Sequence, residues 1–240
     1  MVKPMALFSQ VNTDVFITDY NQTGYFQSAN LATRIEGGNY ENFHIDASYR
    51  GDYVQSNYVV FTILNYHKKY SLDVLSNEKG FAYIKYQLNL FPGLKLEIFG
   101  QREFNSFTRL LERNLGGAGL RLPFVEDDKL SMFVGTSLMI EHEGYSIDTD
   151  KQNYDRLRNS NYISINYKIS KSVSVNYTSY FQFNVSDFSD YRYLGDGQLR
   201  FLILPRIYFT LNAKIKYDAY PVTNLRSYDY DFVQGISFEL

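Results

Sequence analysis

Between residues 163 and 183 apolar and polar residues take turns. Ile163, Ile165, Tyr167 and Ile169 share one parity, and Ser164, Asn166 and Lys168 share the other. After Ser170-Lys171 the alternation resumes, with Val173, Val175, Tyr177, Phe181 and Phe183 against Ser174, Asn176, Thr178 and Gln182. Successive strand side chains point to opposite faces, so this stretch is a β-hairpin with one apolar and one polar face. The same period predicts about twelve strands along the chain. They are 27–36, 40–50, 57–67, 80–91, 94–104, 113–122, 130–143, 159–169, 172–184, 192–204, 207–218 and 229–240.

Which face meets water depends on the surroundings. A soluble sheet buries its apolar face, whereas a membrane barrel turns it outward to lipid. Three patterns favour the barrel. The strands are longer than the roughly five or six residues usual in a sandwich, and match the roughly 9–11 needed to cross a bilayer at a tilt. Short connections (Phe91–Gly93, Pro123–Asp128, Ser170-Lys171, Pro205-Arg206) interleave with longer polar ones (His67–Lys79, Asn105–Glu112, Gly144–Arg158, Ala219–Tyr228). That is the rhythm of tight periplasmic turns and longer external loops. Charges fall on the polar parity and leave the apolar parity uncharged through the strand middles, while Tyr40, Tyr49, Tyr58, Tyr66, Tyr162, Tyr180, Tyr217 and Tyr230 gather toward strand ends as interfacial girdles do. The expected fold is all-β: a single transmembrane antiparallel up-and-down barrel of about twelve strands with both termini on the periplasmic side.

Composition agrees. The 240 residues hold 23 Tyr and 19 Phe with only 5 Pro, which suits strands rather than disorder. A net charge of −2 gives no electrostatic footprint for nucleic acid. Cys is absent, which excludes disulfide scaffolds and thiolate metal sites. No apolar run is long enough for a transmembrane helix, which leaves a barrel open. The start, "MVKPMALFSQ", reads as the remnant of a signal peptide or as an appended leader; on the first reading the mature chain begins near Val11. Residues 11–26 alternate poorly and precede the first strand, so they are expected to form a periplasmic segment or a lumen plug ahead of the barrel at 27–240.

At "RNLGGAGLRLPF", residues 113–124, the chain resembles the salt-inducible outer-membrane protein family, a domain-of-unknown-function family of Gram-negative bacteria. The resemblance spans roughly 27–240. It rests on Gly38-Asn39, on an Arg-x-x-x-Gly-x-Gly strand (Arg113, Gly117, Gly119), on a strand ending at Glu141 or Glu143, and on the final "KYDAYPVTNLRSYDYDFVQGISFEL". "FVQGISFEL" also resembles a barrel C-terminal insertion signal, although it ends in Leu240 rather than an aromatic residue. The Ser9-Gln10 ending of the leader is of a Bacteroidota kind. The resemblance implies an outer-membrane barrel, contact with lipid and with the barrel-assembly machinery, and a link to salt stress, but no established activity.

Candidate chemistry is sparse. Gly116-Gly117-Ala118-Gly119 lacks the Lys-Ser/Thr and the helix of a phosphate loop, and glycines in a strand more often admit a bulky neighbour. His142 shares a parity with Ser146, but four strand residues span about 13 Å, whereas a nucleophile and its base need about 3 Å. His142 is therefore expected among interfacial aromatics, His44 in the lumen and His67 at a loop edge. Asp148, Asp150 and Asp155 could offer oxygens to Ca²⁺, but the glycine and the terminal Glu of an EF-hand loop are missing. The chain reads as non-enzymatic, with no catalytic, cofactor or metal site. The lumen is the informative surface, expected to be lined by Asp46, Arg50, Lys85, Glu97, Arg121, Glu141, Lys168, Arg200, Lys214 and Lys216. Val59, Phe61 and Ile63 take that same inward parity, which requires either a bulge in 57–67 or an apolar group packed inside. The functional expectation is a porin-like barrel passing small solutes or ions. The alternative is a closed barrel serving as a structural or accessory subunit of an envelope complex. In neither case is nucleic acid a partner.

Overall fold

The computed structural model describes residues 23–38, 41–71, 74–147, 150–222 and 226–238. Twelve strands form one antiparallel sheet in chain order: β1 (Gly24–Glu36), β2 (Asn42–Val54), β3 (Tyr58–Ser71), β4 (Val74–Phe91), β5 (Leu94–Asn105), β6 (Leu110–Glu126), β7 (Leu130–Ile147), β8 (Asp150–Lys168), β9 (Val173–Asn184), β10 (Asp187–Leu204), β11 (Ile207–Asp218) and β12 (Tyr228–Phe238). Every strand expected from the alternation is present. Each pairs with its neighbours in sequence, as an up-and-down meander requires.

The polarity of the sheet is inverted. On the hairpin of β8 and β9 the polar residues Ser164, Thr178 and Gln182 are buried, while Tyr167 and Phe181 are exposed. Elsewhere on the wall Leu31 is 73% and Ile140 70% exposed, while Arg158 and Glu141 are 0% exposed. The sheet achieves this by rolling. One cavity is lined by side chains from nine consecutive strands, from Tyr83 on β4 to Asp231 on β12. Laid flat, those strands would span roughly 40 Å at the usual inter-strand spacing. The roll puts the charged parity on the concave side and the apolar parity on the convex side. Arg102 is a charged exception, exposed on β5 between the buried Gln101 and Glu103.

Rolling stops short of an observed closure. β1 pairs with β2 and β12 with β11, and among the described residues no ladder joins β1 to β12. Both faces of β1 are largely exposed, consistent with an unpaired edge.

Other expectations change. The connections His67–Lys79 and Gly144–Arg158 are largely strand: β3 runs to Ser71 and β4 starts at Val74, and β7 runs to Ile147 and β8 starts at Asp150. Asn105–Glu112 shrinks to 106–109, whereas 219–227 remains a longer connection. The external loops are therefore shorter than the composition suggested, because polar residues on both parities continue the ladder beyond the apolar band. Pro123 lies inside β6 at a register shift, and its turn falls at 127–129. β1 begins at Gly24, inside the segment 11–26, and residues 11–22, like the leader 1–10, lie outside the described residues. Tyr162 and Tyr180 are not girdle residues. They pack at a tilt on the concave side with ring centroids 5.2 Å apart. At one tight turn Gly93 takes φ 84° after Pro92, as glycine readily does, whereas the turn at Pro205 places Arg206 at φ 68°, a conformation that non-glycine residues seldom adopt.

Candidate functional site

The concave face carries two ionic layers with a cavity between them. The larger layer centres on Glu141 of β7. Its carboxylate accepts from Arg113 Nε of β6 at 2.6 Å, Arg158 Nε of β8 at 2.6 Å and Arg192 Nη1 of β10 at 2.9 Å. Glu143, one inward position further along β7, accepts from Arg156 Nη1 at 2.7 Å and Arg192 Nη2 at 3.0 Å. Glu103 of β5 accepts from Arg113 Nη1 at 3.1 Å, Asp190 from Arg158 Nη2 at 2.8 Å, and Asp218 from Arg192 Nε at 2.8 Å. Six strands, β5 to β8 with β10 and β11, thus meet through guanidinium forks, whose fixed geometry suits several carboxylates at once. The arrangement follows from alternation, since residues two apart on a strand share a face and diagonal neighbours on the next strand lie within reach of long side chains.

The second layer lies toward the opposite end. Glu97 of β5 takes Lys85 Nζ at 3.1 Å and the Tyr162 hydroxyl at 2.9 Å, with Arg121 Nη1 at 3.7 Å. Arg121 stacks on Phe133, 4.1 Å from its ring centroid. Gly135 makes room for the Tyr162 ring, because a Cβ there would sit 2.2 Å from it. Between the layers lies a cavity of about 90 Å³, bounded by Gln101, Leu115, Met139, Tyr162, Lys214 and Asp231 among others.

The remaining expected lining residues also sit on this face. The Asp46 carboxylate accepts from His67 Nδ1–H at 2.7 Å, and Arg50 Nε donates to Asp52 at 2.8 Å. Lys214 Nζ is 3.4 Å from Asp196, and Lys216 lies in the field of Arg192, Glu103 and Asp218. Arg200 covers the Tyr208 ring at 3.5 Å. Lys168 is exposed at the end of β8, away from both layers. The apolar inward residues of 57–67 need no bulge, because the β2–β3 register runs unbroken from Asn42↔Ser71 to Val54↔Val59. Instead Phe61, Ile63 and Phe81 pack together inside, with Tyr83 against them.

Arg156, Arg158, Asp190 and Arg192 were missed by sequence reasoning. The first three fall where polar composition reads as loop; continuing the inward parity of β8 from Ser164 through Ser160 to Arg158 and Arg156 would have found two of them. His67 lies within β3 rather than at a loop edge, 6.4 Å from the His44 ring. His142 is on the opposite face and bonds Asp155 at 2.7 Å, and no serine contact to it is found among the described residues. Asp150 and Asp155 lie within β8, and Asp148 is outside the described residues. Among the described residues no group of three or more His, Asp or Glu is placed to hold a metal ion. The glycines of β6 serve packing, with Phe99 and Met139 against Gly117, and Ser137 and the Thr136 carbonyl against Gly119.

A meander of twelve antiparallel strands with charge on its concave side and apolar residues on its convex side has the polarity that a membrane barrel requires. The chain belongs to the family described as "Protein of unknown function, DUF481", whose model matches residues 29–238. No curated protein matches it in sequence. Among solved structures it is similar to the NanC porin in a rhombohedral crystal form (11% identity, 90% of this chain and 99% of that chain, TM-score 0.49). It is also similar to the KdgM porin, alone and in complex with disordered oligogalacturonate (each 10% identity, 90% and 99% covered, TM-score 0.42).

Proposed function

We propose that the chain is an integral outer-membrane β-barrel, closed by pairing β1 with β12, that passes ions and small solutes through a narrow interior and performs no chemistry on them. The observation that carries this reading is the cavity between the two ionic layers, into which Lys85, Glu97, Lys214, Lys216, Asp229 and Asp231 bring charge among aromatic and aliphatic walls. Closure joins strands that already run antiparallel, since twelve is even, and leaves no exposed edge. Asp46, Arg50, Lys85, Glu97, Arg121, Glu141, Arg200, Lys214 and Lys216 then line the lumen, with Lys168 at its periplasmic rim. The lining carries both signs, so selectivity between cations and anions is weak. Lipid surrounds the convex face, the barrel-assembly machinery inserts it, and the turns at 92–93, 127–129, 169–172 and 205–206 face the periplasm. A part in salt-stress adaptation in a Gram-negative cell belongs to this reading through the family resemblance alone.

A second reading has its own support. The Glu141 layer is buried and ion-paired across six strands, which suits a closed barrel acting as a structural or accessory subunit beside an envelope-complex protein. Conductance in a planar bilayer separates the two. Discrete steps from the refolded chain are expected for a conduit, and a folded but silent protein would reject it in favour of the closed barrel.

A further inference from the structure

The concave face is not polar throughout. Between the two ionic layers Tyr83, Phe99, Leu115 and Met139 stand on four consecutive strands, β4 to β7, and all line the cavity. Tyr83 and Phe99 stack with ring centroids 6.4 Å apart. Gly117 lets Phe99 and Met139 close over it, because a Cβ there would sit 2.6 Å from the Phe99 ring and 2.8 Å from Met139 Cβ. Through Tyr83 this wall runs on into Phe61, Ile63 and Phe81. Contact between water and such a wall is unfavourable, so apolar surface of this kind tends to be covered. Beside it the charge is uneven. Lys85 and Arg121 lie 3.1 and 3.7 Å from the Glu97 carboxylate, and Lys95 stands directly opposite Arg121 on the ladder, so three cations gather about one carboxylate. On the facing wall Asp229 and Asp231 are matched by Lys216 and Lys214 of the next strand. The cavity thus suits an occupant that is apolar in part and acidic in part.

We infer that residues 11–22 of the same chain are that occupant, entering from the periplasmic end and obstructing the lumen. They lie outside the described residues, and their sequence, VNTDVFITDYNQ, supplies both features. Val15, Phe16 and Ile17 form an apolar run between the carboxylates of Asp14 and Asp19, and no Lys or Arg occurs from Pro4 to Thr33. The connection is short. β1 starts at Gly24, opposite Val54, and therefore at the end of the sheet where the tight turns lie. From there the chain back to Phe16 spans up to about 26 Å when extended, most of a hydrocarbon core of roughly 30 Å. Tethering also holds the segment at an effective concentration on the order of millimolar, so modest contacts suffice. The inference rests on the membrane-barrel reading and does not need the lumen to conduct.

A chain without cysteine allows a direct test. Phe16→Cys is combined either with Ser137→Cys, in the cavity lining, or with Leu138→Cys, the next residue along β7 and exposed on the convex face. Each protein is oxidised in lipid vesicles, and the intramolecular disulfide is read by mass as the loss of both alkylatable thiols. It is expected to form faster with Ser137→Cys by about tenfold or more. Planar-bilayer recordings then compare the unsubstituted chain with one lacking residues 11–22 and with Phe16→Asp, which keeps the length. Larger conductance steps are expected from both variants. Equal cross-linking at the two positions, or steps that neither variant enlarges, would overturn the inference. Silence of all three proteins alongside fast cross-linking at Ser137→Cys would instead reject the conduit and leave the seat of residues 11–22 in place.

Discussion

Glu141 offers the most demanding test of the inverted interior. Its carboxylate is fully buried and accepts from three guanidinium groups, on Arg113, Arg158 and Arg192. With Glu103, Glu143, Asp190 and Asp218 it makes five carboxylates facing the five cations Arg113, Arg156, Arg158, Arg192 and Lys216. Glu141→Gln keeps the shape and removes one negative charge from that balanced set. Removing one partner of a buried ion pair typically destabilises by about 3–5 kcal/mol, because the remaining charge stays out of water. The low end applies if the neighbouring carboxylates shift toward the orphaned arginines. A loss of about 3 kcal/mol lowers the folding equilibrium constant more than a hundredfold. With a urea slope of roughly 1–3 kcal/mol/M, the unfolding midpoint in lipid vesicles should fall by about 1–3 M. Adding Arg158→Met to Glu141→Gln should recover part of the loss, since the surplus cation is removed. A midpoint within about 0.3 M of the unsubstituted protein, at an unchanged slope of that order, would refute the reasoning. It would mean that water reaches this layer and screens it.

Other perturbations address separate parts of the account. Leu138→Arg places a cation on the convex face of β7, where it is 53% exposed, and should cost about 2–4 kcal/mol in vesicle refolding. Gly119→Ala puts a Cβ 2.3 Å from the Thr136 carbonyl, a backbone atom that cannot swing aside, and should lower stability by about 1–3 kcal/mol in the same assay. Lys214→Glu removes the cation beside Asp196 and should shift the reversal potential in a salt gradient toward cations. The backbone N–H groups of Lys129 and Leu130 hold the Asp127 carboxyl below its usual range, so this turn's contribution is complete above the unfolded carboxyl pKa of about 3.9 and is lost as pH falls through the lower folded value. Carbon-detected NMR titration of Asp127 should show that depressed midpoint.

The strands were legible because alternation persists in all twelve, and the hairpin at 163–183 shows both its register and its two faces. Its orientation was legible from charge, since Lys85, Glu97, Arg121 and Glu141 could not share a lipid-facing row. What stayed hidden has a common cause. Beyond the apolar band both parities become polar, and a one-dimensional pattern cannot distinguish such a strand end from a loop. Arg156, Arg158 and Asp190 lie there, so the part of the larger ionic layer that they supply was not read as strand. Partnership across the roll was also illegible. Tyr162 and Glu97 are 65 residues apart, and only the curl of β5 toward β8 brings the hydroxyl to the carboxylate. Phe61 and Ile63 posed the opposite difficulty. Their parity was read correctly, but the cluster they form with Phe81 depends on the β3–β4 register.

The most direct test of the inverted sheet is a cysteine scan of β9, residue by residue from Val173 to Phe183, in an otherwise cysteine-free chain inserted in vesicles. Spin labels would be read for collision with a lipid-soluble and a water-soluble relaxant. The account predicts that labels at 175, 177, 179, 181 and 183 meet the lipid-soluble relaxant, and that labels at 174, 176, 178, 180 and 182 are shielded from it. The reverse alternation, or equal exposure of both parities to water, would contradict it.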